Sequence, residues 1–314
     1  MNTHPRALGA TALLGATTAW ASLFLTAKPV LAHIDPVWFT LIRYSLATAG
    51  FAALLAWRGR SVWSKLREHG ARLALLGFVG YGMFGVLVLI GLAHSVPSHG
   101  AVVMATMPIT TQLLRWALDG LRPTRAALIG TALALLGVVI VSGVLGNGDE
   151  EASTLWGDAT AWLGTLGWIW YTRHSARFPS FDALEYSALT AMASWPLLLL
   201  AALVGAASHL ASVPSLADLQ LSWHALLYVG AVPSVLAILA YNWGIRRLGV
   251  VTGTAFLNFV PVSALLMGAA LGAKPAAHEL VGVALVIAAL LIHTLAQQRA
   301  QSSFIETPVT KRVS

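Results

Sequence analysis

The sequence has no cysteine and very little charge. The missing cysteine excludes disulfide bonds and thiolate chemistry. Only 10% of the 314 residues are charged, whereas soluble domains carry about 25%. The few charges also fall between long apolar runs, which excludes a pair of soluble domains. What takes the place of charge is apolar: 57% of the residues are hydrophobic, and the mean hydropathy is +0.75.

Ten apolar stretches of roughly 20 residues follow one another, and a stretch of 18 or more is a candidate membrane helix. They span residues 7–27, 36–57, 72–94, 97–118, 124–145, 155–177, 182–207, 222–245, 250–271 and 276–298. A membrane β-barrel would show alternating segments of about ten residues instead. The sequence therefore predicts an all-α integral membrane protein with ten transmembrane helices. We expect the first stretch to be retained, because it is too long for a signal peptide.

Lysine and arginine lie mostly on one side of the predicted helices. If the N-terminus is cytoplasmic, 16 of the 19 basic residues lie inside, Lys28 and Lys274 lie outside, and Arg43 lies within the second helix. Cytoplasmic loops are enriched in these residues. We therefore expect a multi-pass protein of the inner (plasma) membrane with both termini in the cytoplasm. The net charge of +7 then reflects charge beside anionic lipid rather than nucleic-acid binding.

The two halves of the chain resemble each other. Residues 100–123 align without gaps on residues 253–276, and this alignment pairs Pro108 with Pro261. Each half holds five predicted helices, an odd number, so the second half is predicted to be inverted in the membrane. Inverted repeats are typical of alternating-access transporters, which bind substrate near the midplane between the halves.

The repeat predicts the domain organisation. We expect a first repeat at 1–148, a second at 149–299 and a polar cytoplasmic tail at 300–314. The tail has the composition of a disordered segment.

Pro108 and Pro261 fall near the middle of the fourth and ninth stretches. If the backbone stays helical there, each proline leaves one carbonyl without its donor, that of Met104 or Leu257. Such a carbonyl is costly against lipid. Two interpretations stay open: the prolines are packing kinks, which are common in membrane helices, or they kink helices beside a central cavity. In the second case Trp20 and Trp168 approach that cavity as an inverted pair.

Several motifs follow one another in an order that is specific when they are taken together. In the first two helices the positions are Trp20, Phe24, Lys28, Pro36 and Arg43. The later motifs are WGDATAWLGTLGWIWYT from residue 156 and YNWGIRRLGVVTGTAFLNFVPVSALLMGAALG from residue 241. Across residues 7–298 the chain resembles the drug/metabolite transporter superfamily, and within it the ten-helix EamA-type transporters.

The resemblance implies export of small metabolites such as amino acids, or of amphiphilic, drug-like compounds. An importer or exchanger on the same fold is the alternative, because sequence does not reveal direction. Leu121 and Ala273 stand where this family usually has glutamates, which argues against a role for those carboxylates here. We expect a small-molecule substrate and the lipid bilayer as partners, a monomer or homodimer, no nucleic acid and no cofactor or metal.

Polar and aromatic residues inside the predicted helices are the candidates for substrate binding. They are Trp20, Tyr81, His99, Thr106, Pro108, Thr110, Trp168, Tyr241, Asn258 and Pro261. Substrate sites combine apolar walls with a few placed polar groups. The alternatives are that the tryptophans form an interfacial belt and that threonine and asparagine join neighbouring helices. His99 is the one plausible titrating group for proton coupling, or else a structural residue.

Two charged residues inside helices need an explanation. Arg43 lies about two turns into the second helix, where an unpaired charge is costly. It snorkels to the surface, pairs with a partner such as Asp158, or contacts substrate. Glu185, near the cytoplasmic end of the seventh helix, is expected to be solvated.

Other functional classes lack their characteristic residues in this sequence. An intramembrane enzyme would need convergent catalytic groups, and no Ser/His arrangement, paired mid-membrane Asp or metal-spaced His cluster is present. A channel would show a filter or a ring of charge. A sensor would carry a soluble domain, and no loop is long enough. We therefore expect a secondary transporter rather than an enzyme.

Overall fold

Long helices make up nearly all of the described chain. The computed structural model describes residues 4–59, 61–94, 103–104, 106–142, 153–270, 272, 274, 276–278, 280–289 and 291–292. In these ranges there is no β-strand, as the sequence predicts. The first five helices are α1 (His4–Val30), α2 (Pro36–Ala56), α3 (Ser61–Gly77, Phe78–Met83 and Phe84–His94), α4 (Met107–Asp119) and α5 (Arg125–Ser142). The others are α6 (Ser153–His174), α7 (Ala183–Ala207), α8 (Leu216–Ala231, Val232–Leu236 and Ala237–Leu248), α9 (Val250–Phe256 and Phe259–Ala270) and α10 (Leu280–Ala289).

The outer surface of the helix bundle is apolar. Large side chains such as Leu200, Leu203 and Leu266 are more than half exposed, which is expected where lipid rather than water surrounds a helix. Within the described ranges, six helices are long and apolar enough to cross a membrane: α1, α2, α3, α7, α8 and α9. The protein is therefore a multi-pass membrane protein.

Two helices begin well before their apolar stretches. α3 begins at Ser61 rather than near residue 72, and α8 begins at Leu216 rather than 222. Hydrogen bonds stabilise these extra turns. Ser215 caps α8 by accepting a hydrogen bond from the N–H of Asp218 at 3.2 Å, and Lys65 in α3 donates to the carbonyl of Ser180 at 2.9 Å. Hydropathy marks the membrane core and misses such interfacial turns.

Both α3 and α8 contain a π-helical segment near their centre. These segments are Phe78–Met83 and Val232–Leu236. In the second, Pro233 supplies no N–H to the ladder, and the Ser234 hydroxyl donates to the carbonyl of Val229 at 2.7 Å. Single π turns inside α-helices are frequent at functional sites.

The prolines lie at the start of helical segments rather than in the middle of kinked ones. Pro108 is in the first turn of α4, where a missing N–H costs nothing. α9 is interrupted at residues 257–258, and Pro261 lies in the first turn of its second segment. The carbonyl of Leu257 accepts the N–H of Val260 at 3.0 Å. The free Leu257 carbonyl was expected only for a backbone that stays helical, and that condition is not met, because the backbone leaves the α conformation before the proline.

Further prolines lie within helices. Pro233 lies in the π-helical segment of α8, and Pro196 lies inside α7. Prolines inside helices therefore occur at positions other than 108 and 261.

Helices from the first half of the chain pack closely on helices from the second half. α1 packs along α8, α6 packs along α3, and α2 packs on α7. Glycine permits the closest of these approaches: a Cβ on Gly91 of α3 would lie 2.6 Å from the carbonyl oxygen of Gly157 in α6. A Cβ on Gly244 of α8 would lie 3.0 Å from the carbonyl oxygen of Gly9 in α1. Small residues of this kind let membrane helices approach each other.

Candidate functional site

A small cavity lies where six helices meet. Its volume is about 40 Å³, which is room for a few waters and less than a metabolite needs. The lining side chains come from α1, α2, α3, α6, α8 and α9 and from the chain around the start of α4. They are Trp20, Leu23, Phe24, Arg43, Tyr44, Phe84, Gly85, Val88, Leu89, Met104, Met107, Trp168, Ile238, Leu257 and Val260.

Aromatic rings form one wall of this cavity. The rings of Trp20 in α1 and Trp168 in α6 meet edge to face, with centroids 5.1 Å apart. Tyr241 of α8 packs behind both, at 5.1 Å from Trp20 and 5.5 Å from Trp168. The indole N–H of Trp20 donates to the carbonyl of Pro233 at 2.9 Å, so the π-helical segment of α8 orients this ring. The structure thus brings the two tryptophans together in the cavity wall.

Arg43 is the charged residue of the cavity lining. Its side chain is only 3% exposed, and its guanidinium donates to the hydroxyl of Tyr44 at 2.7 Å. The guanidinium carbon also lies 4.6 Å from the centre of the Tyr44 ring, a cation–π distance. Tyr44 in turn stacks on Tyr81 at 5.0 Å. The partner considered from the sequence was Asp158, whereas the hydrogen bond goes to Tyr44.

A buried hydrogen-bond network lies next to the aromatic wall. The Tyr81 hydroxyl donates to that of Tyr171 at 2.6 Å and lies 3.2 Å from the Thr190 hydroxyl. The Asn242 amide donates to Tyr171 at 2.8 Å and to Ser187 at 2.7 Å. These five side chains, which we call the tyrosine network, join α3, α6, α7 and α8. All five are buried, and their hydrogen bonds join the four helices, although the Asn242 Oδ1 atom has no hydrogen-bond partner among the described residues.

A larger, open pocket lies at the far ends of the same helices. It has a volume of about 580 Å³ and is lined by Thr111, Arg115, Asp119, Arg173, Ala176, Arg177, Leu248, Gly249, Val250 and Val251. Arg173 and Asp119 form an ion pair across it. Gly249 makes the one-residue link from α8 to α9 with a φ of 85°, a conformation that favours glycine. We call this pocket the basic vestibule.

The remaining candidates from the sequence lie away from the central cavity. The Thr106 and Thr110 hydroxyls donate to carbonyls of their own segment, those of Val103 and Thr106. Pro108 and Asn258 line a separate gap of about 10 Å³ that also touches α5. Pro261 is buried in α9.

Two candidate tyrosines, His99 and three residues that were not candidates remain to be placed. Tyr81 and Tyr241 pack around the tryptophans without lining the cavity. His99 lies outside the described residues. Sequence reasoning did not select Tyr44, Tyr171 or Asn242, although Tyr171 is one helical turn from Trp168 and Asn242 follows Tyr241 directly.

Ion pairs hold the ends of α3 and α7 together. Glu185 is 8% exposed and pairs with Lys65 at 2.7 Å, so the expectation that it is solvated is wrong. Asp182 caps α7 and pairs with Arg58 at 2.5 Å. Partial burial raises the pKa of Asp182, but the Glu185 N–H and the Arg58 guanidinium outweigh it, and the net pKa is lowered.

The matching family model and the relatives similar in sequence indicate membrane transport. A model of the EamA-like transporter family matches residues 7–143 and 155–295. The "Uncharacterized transporter YrdR" of Bacillus subtilis is 27% identical over 93% of this chain and 92% of its own. The "Uncharacterized inner membrane transporter YedA" of Escherichia coli is 24% identical over 96% of each chain. A "Probable terminal-alkyne amino-acid exporter" of Streptantibioticus cattleyicolor is 26% identical over 93% of this chain and 96% of its own.

A solved structure shares the fold. This crystal structure of a protein superposes with a TM-score of 0.73, covering 96% of this chain and 99% of its own at 23% identity. The family match covers most of both halves of the chain, and the relatives match over nearly their full lengths. The chain therefore belongs to the EamA-like transporter family and is a membrane transporter.

Proposed function

We propose that the chain forms ten transmembrane helices arranged as two inverted repeats, 1–148 and 149–299. The alignment that pairs Pro108 with Pro261 also pairs residues 79–83 with 232–236, so the π-helical segments of α3 and α8 fall at matching positions. α2 and α7 both begin after an aspartate that caps the helix, Asp35 and Asp182. The packing of α1 on α8 mirrors that of α6 on α3. Such correspondences are expected of a duplicated unit.

Alternating access is the proposed mechanism of transport. The observation that carries this proposal is the central cavity, because both repeats contribute to its lining: Trp20 and Arg43 come from one, Trp168 and Ile238 from the other. At about 40 Å³ the cavity is smaller than the space that a substrate needs, so the repeats have to move apart to admit one. The interruption of α9 and the π-helical segments supply places at which helices can bend.

The proposed path runs through three levels. Along α6 the order is Trp168 in the cavity, Tyr171 in the tyrosine network, then Arg173 and Arg177 in the basic vestibule. Along α8 the order is the same, from Ile238 through Asn242 to Leu248. The positive-inside rule puts the vestibule on the cytoplasmic side. A substrate entering from the cytoplasm would then pass the tyrosine network to reach the cavity.

Export of small metabolites is the proposed direction, with amino acids and amphiphilic compounds as substrate classes. A cytoplasmic vestibule of this size supports it, and one relative bears the name of an amino-acid exporter. The protein would lie in the inner (plasma) membrane as a monomer or homodimer with both termini in the cytoplasm. Import or exchange on the same fold is the second candidate.

Transport measured in both directions tests this proposal. Cells loaded with labelled amino acids, or with amphiphilic dyes, should lose them faster when they express the protein. Trp168→Ala should abolish the gain, because Trp168 is 3% exposed and lines the cavity. Trp170→Ala is the matched control, since Trp170 is two residues away and 39% exposed. Uptake into proteoliposomes without efflux from loaded cells would favour the importer instead.

A further inference from the structure

Arg43 carries more hydrogen-bonding capacity than its surroundings satisfy. A guanidinium has five N–H donors. Among the described residues Arg43 donates one hydrogen bond, to Tyr44. Its Nε has no hydrogen-bond partner among these residues, and water cannot replace one easily because Arg43 is only 3% exposed. The unsatisfied donors lie on a residue that lines the central cavity.

The charge of Arg43 is also unbalanced. In the part of the chain that the structure describes, Arg58, Lys65 and Arg173 each pair with a carboxylate, and Arg43 pairs with none. An uncompensated charge buried in a membrane helix is costly, and such residues mark substrate or ion pathways. A negatively charged group entering the cavity would balance the positive charge of Arg43 and accept hydrogen bonds from its free N–H groups.

The rest of the lining defines the remainder of the ligand. Apart from Arg43 and the Tyr44 hydroxyl, the walls are aliphatic side chains, two methionines, a glycine and the aromatic rings of Trp20, Phe24, Phe84 and Trp168. Such a site has one anion-binding end and an apolar body.

Resting on the proposed export function, we propose that the substrates are organic carboxylates with an apolar or aromatic body, whose carboxylate binds Arg43. The planar guanidinium matches a carboxylate with two parallel hydrogen bonds. The body then lies against Trp20 and Trp168. Because the present cavity holds only a few waters, binding requires the widened cavity of an open state.

The second repeat offers no equivalent charge. Counting eight residues from the capping aspartates, Arg43 in α2 corresponds to Thr190 in α7. The Thr190 hydroxyl belongs to the tyrosine network. A carboxylate therefore finds a positive charge at only one end of the cavity, so the substrate binds in a single orientation.

Thermal unfolding of the purified, full-length protein with chosen probes tests this proposal. The probes are 3-phenylpropionate and L-phenylalanine, their amides, and phenylethylamine, with chloride and phosphate as inorganic anions. The carboxylates should raise the unfolding temperature, because a ligand bound only to the folded state stabilises it. The amides and the amine should not.

Variants at Arg43 sharpen the test. Arg43→Gln should weaken carboxylate binding about 10- to 100-fold, the range for a charged hydrogen bond. Arg43→Lys should weaken it less, since the charge stays and the planar pair of donors is lost. Arg125→Gln is the matched control, an exposed arginine at the start of α5, and should bind as the unchanged protein does.

Three outcomes would overturn the inference. Amides could bind as tightly as acids, Arg43→Gln could bind carboxylates unchanged, or chloride or phosphate alone could give the full Arg43-dependent stabilisation. The last result would make the site a counter-ion site. If Arg43→Gln does not fold, the acid-versus-amide comparison in the unchanged protein still decides.

Transport in proteoliposomes separates this inference from the export proposal. Arg43-dependent carboxylate binding without movement across the membrane would leave the site standing and overturn the export proposal. Transport of neutral or cationic compounds that Arg43→Gln does not change would support the export proposal and overturn the carboxylate site.

Discussion

At the scale of single residues, the charges near the helix ends are satisfied in pairs. Glu185 binds Lys65, and Asp182 both caps α7 and binds Arg58. Asp182 is partly exposed, so its ion pair contributes modestly, and its role as the N-cap contributes more. These contacts join the start of α3 and the residues before it to the start of α7 and the residue before it.

Two substitutions of Asp182 should separate the contribution of its N-cap hydrogen bond to stability from that of its charge. Asp182→Ala should lower the free energy of unfolding by about 0.5–2 kcal/mol, the usual cost of losing an N-cap. Asp182→Asn should cost less, since asparagine caps as well as aspartate but cannot pair with Arg58. Thermal unfolding in detergent at pH 7 measures both. Equal losses in the two variants would contradict the capping role.

The stability difference between the unchanged protein and Asp182→Asn should depend on pH. The pKa of Asp182 is lowered in the folded protein from its ordinary value of 3.8. Its charge therefore stabilises the fold fully above about pH 4, and this contribution is lost as the pH falls through the lower folded pKa. The stability difference between the unchanged protein and Asp182→Asn should shrink below pH 4. A difference that is constant from pH 7 to pH 3 would show that the charge does not contribute.

At the scale of helices, close backbone contacts decide where substitutions are tolerated. A Cβ on Gly167 in α6 would lie 2.3 Å from the carbonyl oxygen of Val79, inside the π-helical segment of α3. Gly15 in α1 has nothing within 4 Å of the same position. Gly167 is therefore a packing requirement, whereas Gly15 is an ordinary helical glycine.

Alanine at these two glycines should have opposite effects. Gly167→Ala should destabilise the protein by about 1–3 kcal/mol, because the α3 backbone has to shift to make room. Gly15→Ala should be neutral or stabilising by up to about 1 kcal/mol, since alanine favours a helix. Unfolding temperatures in detergent compare them. Equal stability of the two variants would show that α6 can move away from α3 at little cost.

The prolines of α4 and α9 are expected to matter for transport more than for folding. Pro108→Ala and Pro261→Ala restore an N–H, so that a helix can continue through each of these positions. Expression should persist, while the transport rate falls because the balance between the two open states shifts. Initial rates in proteoliposomes, normalised to inserted protein, measure this. An unchanged rate and affinity in the double variant would assign the prolines to packing.

At the scale of the whole molecule, the distribution of lysine and arginine predicts the orientation. The chain has no cysteine, so single cysteines can be introduced and labelled with an impermeant reagent. Positions 153 and 215 should be labelled from outside, and positions 61 and 303 only after the membrane is opened. The reverse pattern would overturn the inverted-repeat proposal along with the cytoplasmic termini.

The sequence by itself determined the class of the protein, because that class depends on local properties. Apolar length makes a membrane helix whatever its neighbours are, and the helix bounds for α2 and α7 agree with the apolar stretches within one residue. The order of motifs was enough to recognise the family. The approach of Trp20 and Trp168 was expected from one of the two interpretations of the prolines, the one that puts a central cavity beside them.

Only the tertiary structure decided which polar residues face the cavity. The Thr106 and Thr110 hydroxyls donate to backbone carbonyls of their own segment, whereas Arg43 lines the cavity and its buried Nε has no hydrogen-bond partner in the part of the chain that the structure describes. The physical reason is rotation: a helix can turn any face toward its neighbours, and the packing of distant segments selects one. The tyrosine network likewise joins residues up to 161 positions apart, Tyr81 and Asn242, so no local pattern in the sequence could have revealed it.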